Sequence, residues 1–303
     1  MVAPDSSSND YEIHNILHNN YGMDVLVLDH HEADHESTDA CIINNQLCDY
    51  PTKSLSGVGI VYKFCCYLDE ILGTNNANLF LDLVALGMIA DVSDLRDFET
   101  RHLISKGLES INNPFFKTMV EEQAYSLKNE ITPIGIAFYI APYVNATIRM
   151  GTIEEKTLLF ESMLDFKAYD LIPSTKRGCS GQEETRVEQA CRICGNVKNR
   201  QTKARDQLLE EIESFIEEKN LLQNKLLIIP FEKEANRNLT GLVANILMSK
   251  YQRPVLLLNK TIDEDTKEIT WEGSGRGCEK SKLVDFRGFV LKSTFSKLAE
   301  GHP

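Results

Sequence analysis

The 303-residue sequence has no apolar run approaching the roughly 20 residues that a bilayer span requires. It has no basic stretch followed by an apolar one near its start, so no secretory signal is readable. Eight unevenly spaced cysteines are too few for a disulfide scaffold and read as the reduced thiols of a cytoplasmic protein. Cys65-Cys66 lies in an apolar run, where cysteine acts as a small hydrophobe. Cys191-Arg-Ile-Cys194 lacks a second such pair and a suitably spaced histidine, which makes incidental helix thiols the better reading than half a zinc site. Internal repeats and low-complexity tracts are absent. Positive charge is short: 32 Lys+Arg stand against 45 Asp+Glu, a net charge of -13. That excludes a surface that coats polyanions indiscriminately, but it leaves room for a focused basic tract and for acidic residues gathered around divalent cations. With 42% hydrophobic and 25% charged residues, the chain is ordinary for a globular protein and long enough for two domains.

Ser6-Ser7-Ser8-Asn9 reads as a capping turn before a helix that carries Ile13, Ile16 and Leu17 and stops at Gly22. Residues 23–28 then form a β-branched apolar run, a buried strand ending directly in Asp29-His30-His31. Strand, helix and strand within about 30 residues indicate a parallel α/β sheet. In such sheets reactive groups collect at the carboxyl ends of strands, the position of Asp5 and of Asp29-His30-His31. Gly57-Val58-Gly59 opens a helix, and residues 79–90 form a strongly apolar helix that delivers Asp91 and Asp94. Residues 132–140 are expected to be a strand. Residues 173–182 are turn-rich and polar, a candidate boundary. Residues 183–221 read as one long polar helix, basic first and acidic after Asp206. A second α/β unit follows, with strands at 226–229 and 254–258, a helix at 239–251 and a glycine-rich loop at 273–277. This predicts a parallel-sheet domain over 1–172, a helical connector over 173–222 and a smaller α/β domain over 223–303.

Aspartate and imidazole together suit Mg²⁺, Mn²⁺ or Zn²⁺, so Asp29-His30-His31 is the sharpest local feature, although a solvated turn or a helix start capped by Asp29 has the same residues. Asp5 and Asp91, each readable alone as a cap, could join His30 in holding two divalent ions that activate water and neutralise a phosphoryl group. Gly273-Ser274-Gly275-Arg276-Gly277 offers backbone N–H groups and a guanidinium to a phosphate, or is a plain hairpin turn. Arg192, Lys198, Arg200, Lys203 and Arg205 either track a phosphate backbone or form a solvated helix face with i,i+4 pairs.

Asp29-His30-His31, the apolar helix ending in Ala90-Asp91, and Gly273-Ser-Gly-Arg276 occur in one order. In that order they resemble the DHH phosphoesterases, specifically the RecJ-type single-strand-specific exonucleases. Pro142-Tyr-Val-Asn145-Ala146 with Arg149-Met150-Gly151 is similar to another family segment, as are Asn199-Arg200 and the stretch from Gly241 to Pro254. Pro4 to Asp10 is similar to viral and related bacterial members. The resemblance implies a DHH phosphoesterase domain joined by a long helix to a smaller DHH-associated α/β domain. It implies hydrolysis of single-stranded DNA from the 5′ end, in repair and recombination, with two Mn²⁺ or Mg²⁺ ions. Asp5, His30 and Asp91 would be metal ligands. Asp29 would support the shell, and His31 would sit near the scissile phosphate. Asn145, Arg149, Arg200, Gly273, Ser274, Gly275, Arg276 and His302 would bind DNA or its phosphates. The implied partners are single-stranded DNA and a single-strand-binding protein, with no membrane and a monomeric chain. The family's first motif, D-x-D on a first strand, would lie upstream of Asp5, and Gly301-His302-Pro303 is similar to the start of a longer C-terminal motif. A chain cut at both ends is therefore the expectation, with an unpaired sheet flank where the first strand would lie. Two other readings fit part of the pattern: a phosphodiesterase on short oligonucleotides or cyclic dinucleotides, and a non-catalytic nucleic-acid-binding relative.

Overall fold

The computed structural model describes residues 1–231, 238–262, 267, 269–283 and 285–293. The chain divides into two compact units, Met1–Val197 and Lys198–Pro303.

The first unit opens with β1 (Val2–Pro4), a short helix α1 (Tyr11–Asn15) extended by a π-helical turn (Ile16–Asn20), β2 (Leu26–Asp29) and β3 (Cys41–Asn44). The three strands form one parallel sheet in the order β1-β2-β3. Pro4 stands beside Leu28, and Asp29 beside Asn44. All three strands therefore run out at the same edge. β2 is central and its Val27 and Leu28 are buried, which is why it reads as a continuous β-branched run rather than an alternating one. β1 is the outer strand among the described residues, and its Val2 is 58% exposed.

Helices then surround a core built on Leu28, Leu55, Met88, Ile104, Phe115, Phe116, Ile136 and Ile140. They are α2 (Gly57–Leu72), α3 (Leu81–Ala90), α4 (Phe98–Glu109), α5 (Pro114–Glu122), α6 (Ala124–Leu127), α7 (Pro133–Tyr139), α8 (Ala141–Met150), α9 (Ile153–Ser162) and α10 (Asp165–Ala168). α3 is apolar around its whole circumference because it packs against α2, α4, α7 and α8 at once. A hairpin of β4 (Leu171–Pro173) and β5 (Glu183–Thr185) leads into α11 (Arg186–Glu218).

Four expectations are corrected here. Residues 132–140 are helical: Pro133 takes the first helical position and the Thr132 hydroxyl accepts from Gly135 N–H, while Ile136 and Ile140, one turn apart, are the buried pair. In the first helix Ile13 and Ile16 are exposed, and the buried residue is His14. The serine run does not cap that helix. Its N-cap is Asp10, and Ser8 is turned toward β2 instead. The first unit also continues past 172. The β4–β5 pairing bridges the turn-rich stretch, and Val187, Ala190, Cys191 and Cys194 on α11 complete the core.

The second unit contains the rest of α11, then β6 (Leu227–Phe231), α12 (Thr240–Tyr251), β7 (Val255–Ile262), β8 (Ile269–Arg276) and α13 (Phe286–Leu291). β6 and β7 are parallel, β7 and β8 antiparallel. The expected glycine-rich loop is thus a strand. A Cβ on Gly273 would lie 1.9 Å from the Leu257 carbonyl oxygen, so glycine is what lets β8 approach β7 this closely. No helix among the described residues is long and apolar enough to cross a membrane.

Candidate metal centre

Asp5 and His30 follow β1 and β2 at the shared carboxyl edge of the sheet, and Asp91 is the C-cap of α3. His30 Nε2 lies 3.3 Å from Asp5 Oδ1 and 3.7 Å from Asp91 Oδ2. Ligand atoms of Asp5, His30 and His31 lie within 4.8 Å of one another, and no other such cluster occurs among the described residues. His30 is buried at 5% exposure, while the Asp5 and Asp91 side chains reach solvent. Burial alone would push the imidazole pKa down. The Asp5 hydrogen bond and the negative charges of Asp91, Asp5 and Asp29 outweigh it and hold the pKa up. The pocket therefore favours a cation at His30 Nε2, and a proton and a metal ion compete for that lone pair.

Asp29 is the buried base of the cluster. Its Oδ1 accepts from His30 N–H at 2.8 Å and from the His31 ring at 2.7 Å, and its Oδ2 accepts from Ser8 N–H at 3.2 Å. Burial raises its pKa, but the bonds from His31, Ser8 and His30 prevail and keep it ionised. The ring of His31 is thereby oriented through Nδ1, with Nε2 directed away from Asp29. Asn44 at the end of β3 locks the same corner: its amide donates to Ser8 Oγ and to the His31 carbonyl, both at 2.8 Å. Gln46 Nε2 donates to the His30 carbonyl at 3.2 Å.

Asp5 has φ +58°, and its carboxylate lies against the N-terminus of α2. A Cβ on Gly57, the first residue of that helix, would lie 2.2 Å from Asp5 Oδ1 and 2.8 Å from its Cβ. Only glycine admits this approach, which sets an anion beside the positive end of the helix dipole. In the sequence alone the glycines of α2 show no sign of this role, and Ser8, Asn44 and Gln46 are not among the candidate site residues. The polar residues directly after the apolar strand β3 carried the same carboxyl-edge signal that marked Asp29-His30-His31.

The donor set fits a divalent cation. Adjacent corners of an octahedral shell of about 2.1 Å radius lie about 3.0 Å apart, close to the Asp5–His30 separation, and mixed carboxylate–imidazole donors suit Mn²⁺ and Mg²⁺.

The remaining expected residues lie on other elements. Asn145 on α8 donates to the Ala90 carbonyl at 3.3 Å, fastening the end of α3 one residue before Asp91. Arg149 is exposed in the last turn of α8. Arg200, Gly273, Ser274, Gly275 and Arg276 belong to the second unit. There Ser274 Oγ meets Thr240 Oγ1 at 2.9 Å, and Arg276 approaches Gly241 at the start of α12. Gly273 and Gly275 are packed against Leu257 and Phe286. His302 lies outside the described residues. The Cys191 and Cys194 thiols are buried in the first unit's core and their pKa values are raised by burial, that of Cys194 to about 11, as befits inert core thiols.

Carboxylates and adjacent histidines thus share the strand ends of a parallel α/β sheet, the edge at which such sheets bind ligands. Comparison with known proteins narrows this. No family model matches the sequence. YorK of Bacillus subtilis (strain 168), an SPbeta prophage-derived protein named for single-strand DNA-specific exonuclease activity, is 40% identical over 305 residues, which is 100% of this chain and 52% of YorK. The single-stranded-DNA-specific exonuclease RecJ of the same bacterium is 28% identical over 93% of this chain and 32% of that protein. A crystal structure of exonuclease RecJ bound to manganese superposes with a TM-score of 0.65 at 22% identity, covering 85% of this chain and 60% of that one. RecJ from Thermus thermophilus in complex with Mn²⁺ gives the same TM-score at 21% identity, covering 85% and 36%. The fold is that of RecJ, and the chain, similar in sequence to these exonucleases, spans about half the length of YorK.

Proposed function

We propose that this chain is the catalytic portion of a metal-dependent exonuclease that hydrolyses phosphodiester bonds in single-stranded DNA from the 5′ end. The observation that carries the reading is the convergence of Asp5, His30 and Asp91, from two strand ends and a helix end, on one point. The names of its relatives support the substrate, and the manganese and magnesium complexes of RecJ support the metal. A single-strand-binding protein as partner, a monomeric state and a cytoplasmic site of action belong to the same proposal. The eight free cysteines are in keeping with the last.

Asp5, His30 and Asp91 would hold the ion, with Asp29 and Asn44 fixing the histidine corner behind them. When bound, the ion supplies charge neutralisation at the phosphate and a water that is nucleophilic near neutral pH. The residues do the rest. Asp29 accepts the His31 Nδ1 proton, so Nε2 is the ring atom that can take a proton from, or give one to, a phosphate oxygen or the departing hydroxyl. Asn145 holds the Ala90 carbonyl and so sets the position of Asp91.

The test is cleavage of a 5′-phosphorylated single strand in Mn²⁺, by this chain and by a form extended upstream of Met1. His30→Ala is expected to lower the rate by more than the 10–100-fold typical of outer-shell changes. Cleavage that is indifferent to His30→Ala, or absent from both forms, would overturn the reading.

A further inference from the structure

α3 ends in a Schellman turn. Ser93 N–H bonds the Met88 carbonyl at 3.0 Å and Val92 N–H bonds the Ile89 carbonyl at 3.1 Å, with Asp91 as the C-cap. The residue in the left-handed position of such a turn is normally glycine. Here it is Val92, at φ +59°. A β-branched side chain is among those that tolerate this region least. Burial does not compensate it: Val92 is 86% exposed, one of the most exposed apolar residues of the chain. The fold requires the turn, which aims Asp91 at His30, but it does not require the valine, since glycine would make the same two bonds without strain. Strained residues that the fold does not explain concentrate at functional sites. Asp5 at φ +58° is a second left-handed residue at this cluster, but aspartate accepts that region more readily. Val92 is therefore an apolar, solvent-facing side chain held at a conformational cost directly beside a proposed metal ligand.

We propose that Val92 is a substrate-contacting residue that packs against the nucleobase of the nucleotide whose phosphate lies at the Asp5–His30–Asp91 cluster. This rests on the nuclease reading above and extends it to a base contact that is apolar and indifferent to base identity. An aliphatic surface covers the face of any base, and its removal from water on binding is the gain.

The experiment compares wild type, Val92→Gly and Val92→Ala in thermal melts and in Mn²⁺-dependent cleavage of a 5′-phosphorylated single strand, intact or lacking the base next to the scissile phosphate. Val92→Gly is expected to raise Tm by about 2–4 °C by releasing strain. It is expected to raise KM about fivefold to tenfold, the effect of losing one apolar contact, with a smaller change in kcat. Val92→Ala loses the contact but keeps a non-glycine residue in the left-handed region, so KM rises with a smaller gain in Tm than in Val92→Gly. The abasic strand is expected to raise KM for wild type by a similar factor and to add little in Val92→Gly. An active wild type whose Val92→Gly variant keeps its KM, or whose variant responds fully to base removal, would overturn this inference alone. Absence of cleavage both by wild type and by the form extended upstream of Met1 would overturn the nuclease reading and this inference with it.

Discussion

At Gly57 a single methyl group decides whether Asp5 can face His30. The alanine Cβ would overlap three atoms of the short Asp5 side chain, including its own Cβ, so the carboxylate must leave rather than flex. Gly57→Ala is expected to weaken Mn²⁺ binding at least tenfold by isothermal titration and to lower stability by roughly 1–3 kcal/mol, the usual range for overpacking. Asp29 answers to a different rule. It accepts from three backbone N–H groups and one imidazole while buried, and an amide can neither accept at both positions nor carry the charge. Asp29→Asn is expected to cost about 3 kcal/mol in urea denaturation, as for other buried partners left unmatched. Residue types at strand ends were legible from the sequence, because apolar runs that stop at Asp-His-His or at Asp91 announce themselves. The role of Gly57 was not, since it exists only against a side chain 52 positions away.

The elements carry their own tests. Glu184 on β5 is buried and takes bonds from Ser174, Gln189 and Arg192, with Lys176 3.0 Å away. Burial works to raise its pKa, but Arg192, Lys176 and the neutral donors hold it down at about 2. Its folded pKa is thus depressed below the unfolded value near 4.5. The stabilisation is fully present above about pH 5 and is lost as pH falls from there toward 2. Melts across that window are expected to show an acid-side loss of Tm that is reduced in Glu184→Gln, whose own Tm is already lower at pH 7. The N-terminus of α9 is a complete capping box, Thr152 accepting from Glu155 N–H and Glu155 reaching back to Thr152 N–H. Thr152→Ala is expected to cost about 1 kcal/mol in the same measurement. α7, like β8, differs from what the sequence pattern predicts. Its apolar residues at 134, 136, 137 and 138 look like a strand, and Pro133 with Thr132 as cap outweighs that pattern.

For the whole molecule, the net charge of -13 meets a proposed polyanionic substrate. The tract from 176 to 205 has eight basic residues against three acidic ones. In the folded chain, however, Lys176 and Arg192 pair with Glu184, Arg186 with Glu161, and Arg205 with Asp206. At least these four side chains are therefore engaged by carboxylates of the chain itself. The dependence of single-strand affinity on salt is accordingly expected to be shallow, with a log–log slope no steeper than about -3. A titration of binding against KCl measures it, and a markedly steeper slope would place the basic contacts elsewhere on the chain.

By itself the sequence determined what depends on short-range order: the β-branched run that becomes β2, the apolar circumference that buries α3, the carboxylates and histidines at their ends, and the long polar helix. Each follows from periodicity or from the residue where an apolar run stops. The tertiary structure alone decided what depends on two distant segments meeting. It set Asp5 3.3 Å from His30, gave Asn145 to the Ala90 carbonyl, let the glycines of β8 approach β7 closely, and paired Arg186 and Arg192 of the basic tract with carboxylates. The physical reason is that hydrogen bonds, ion pairs and steric exclusion act over a few ångströms in space, and the chain brings residues within that range only when it folds.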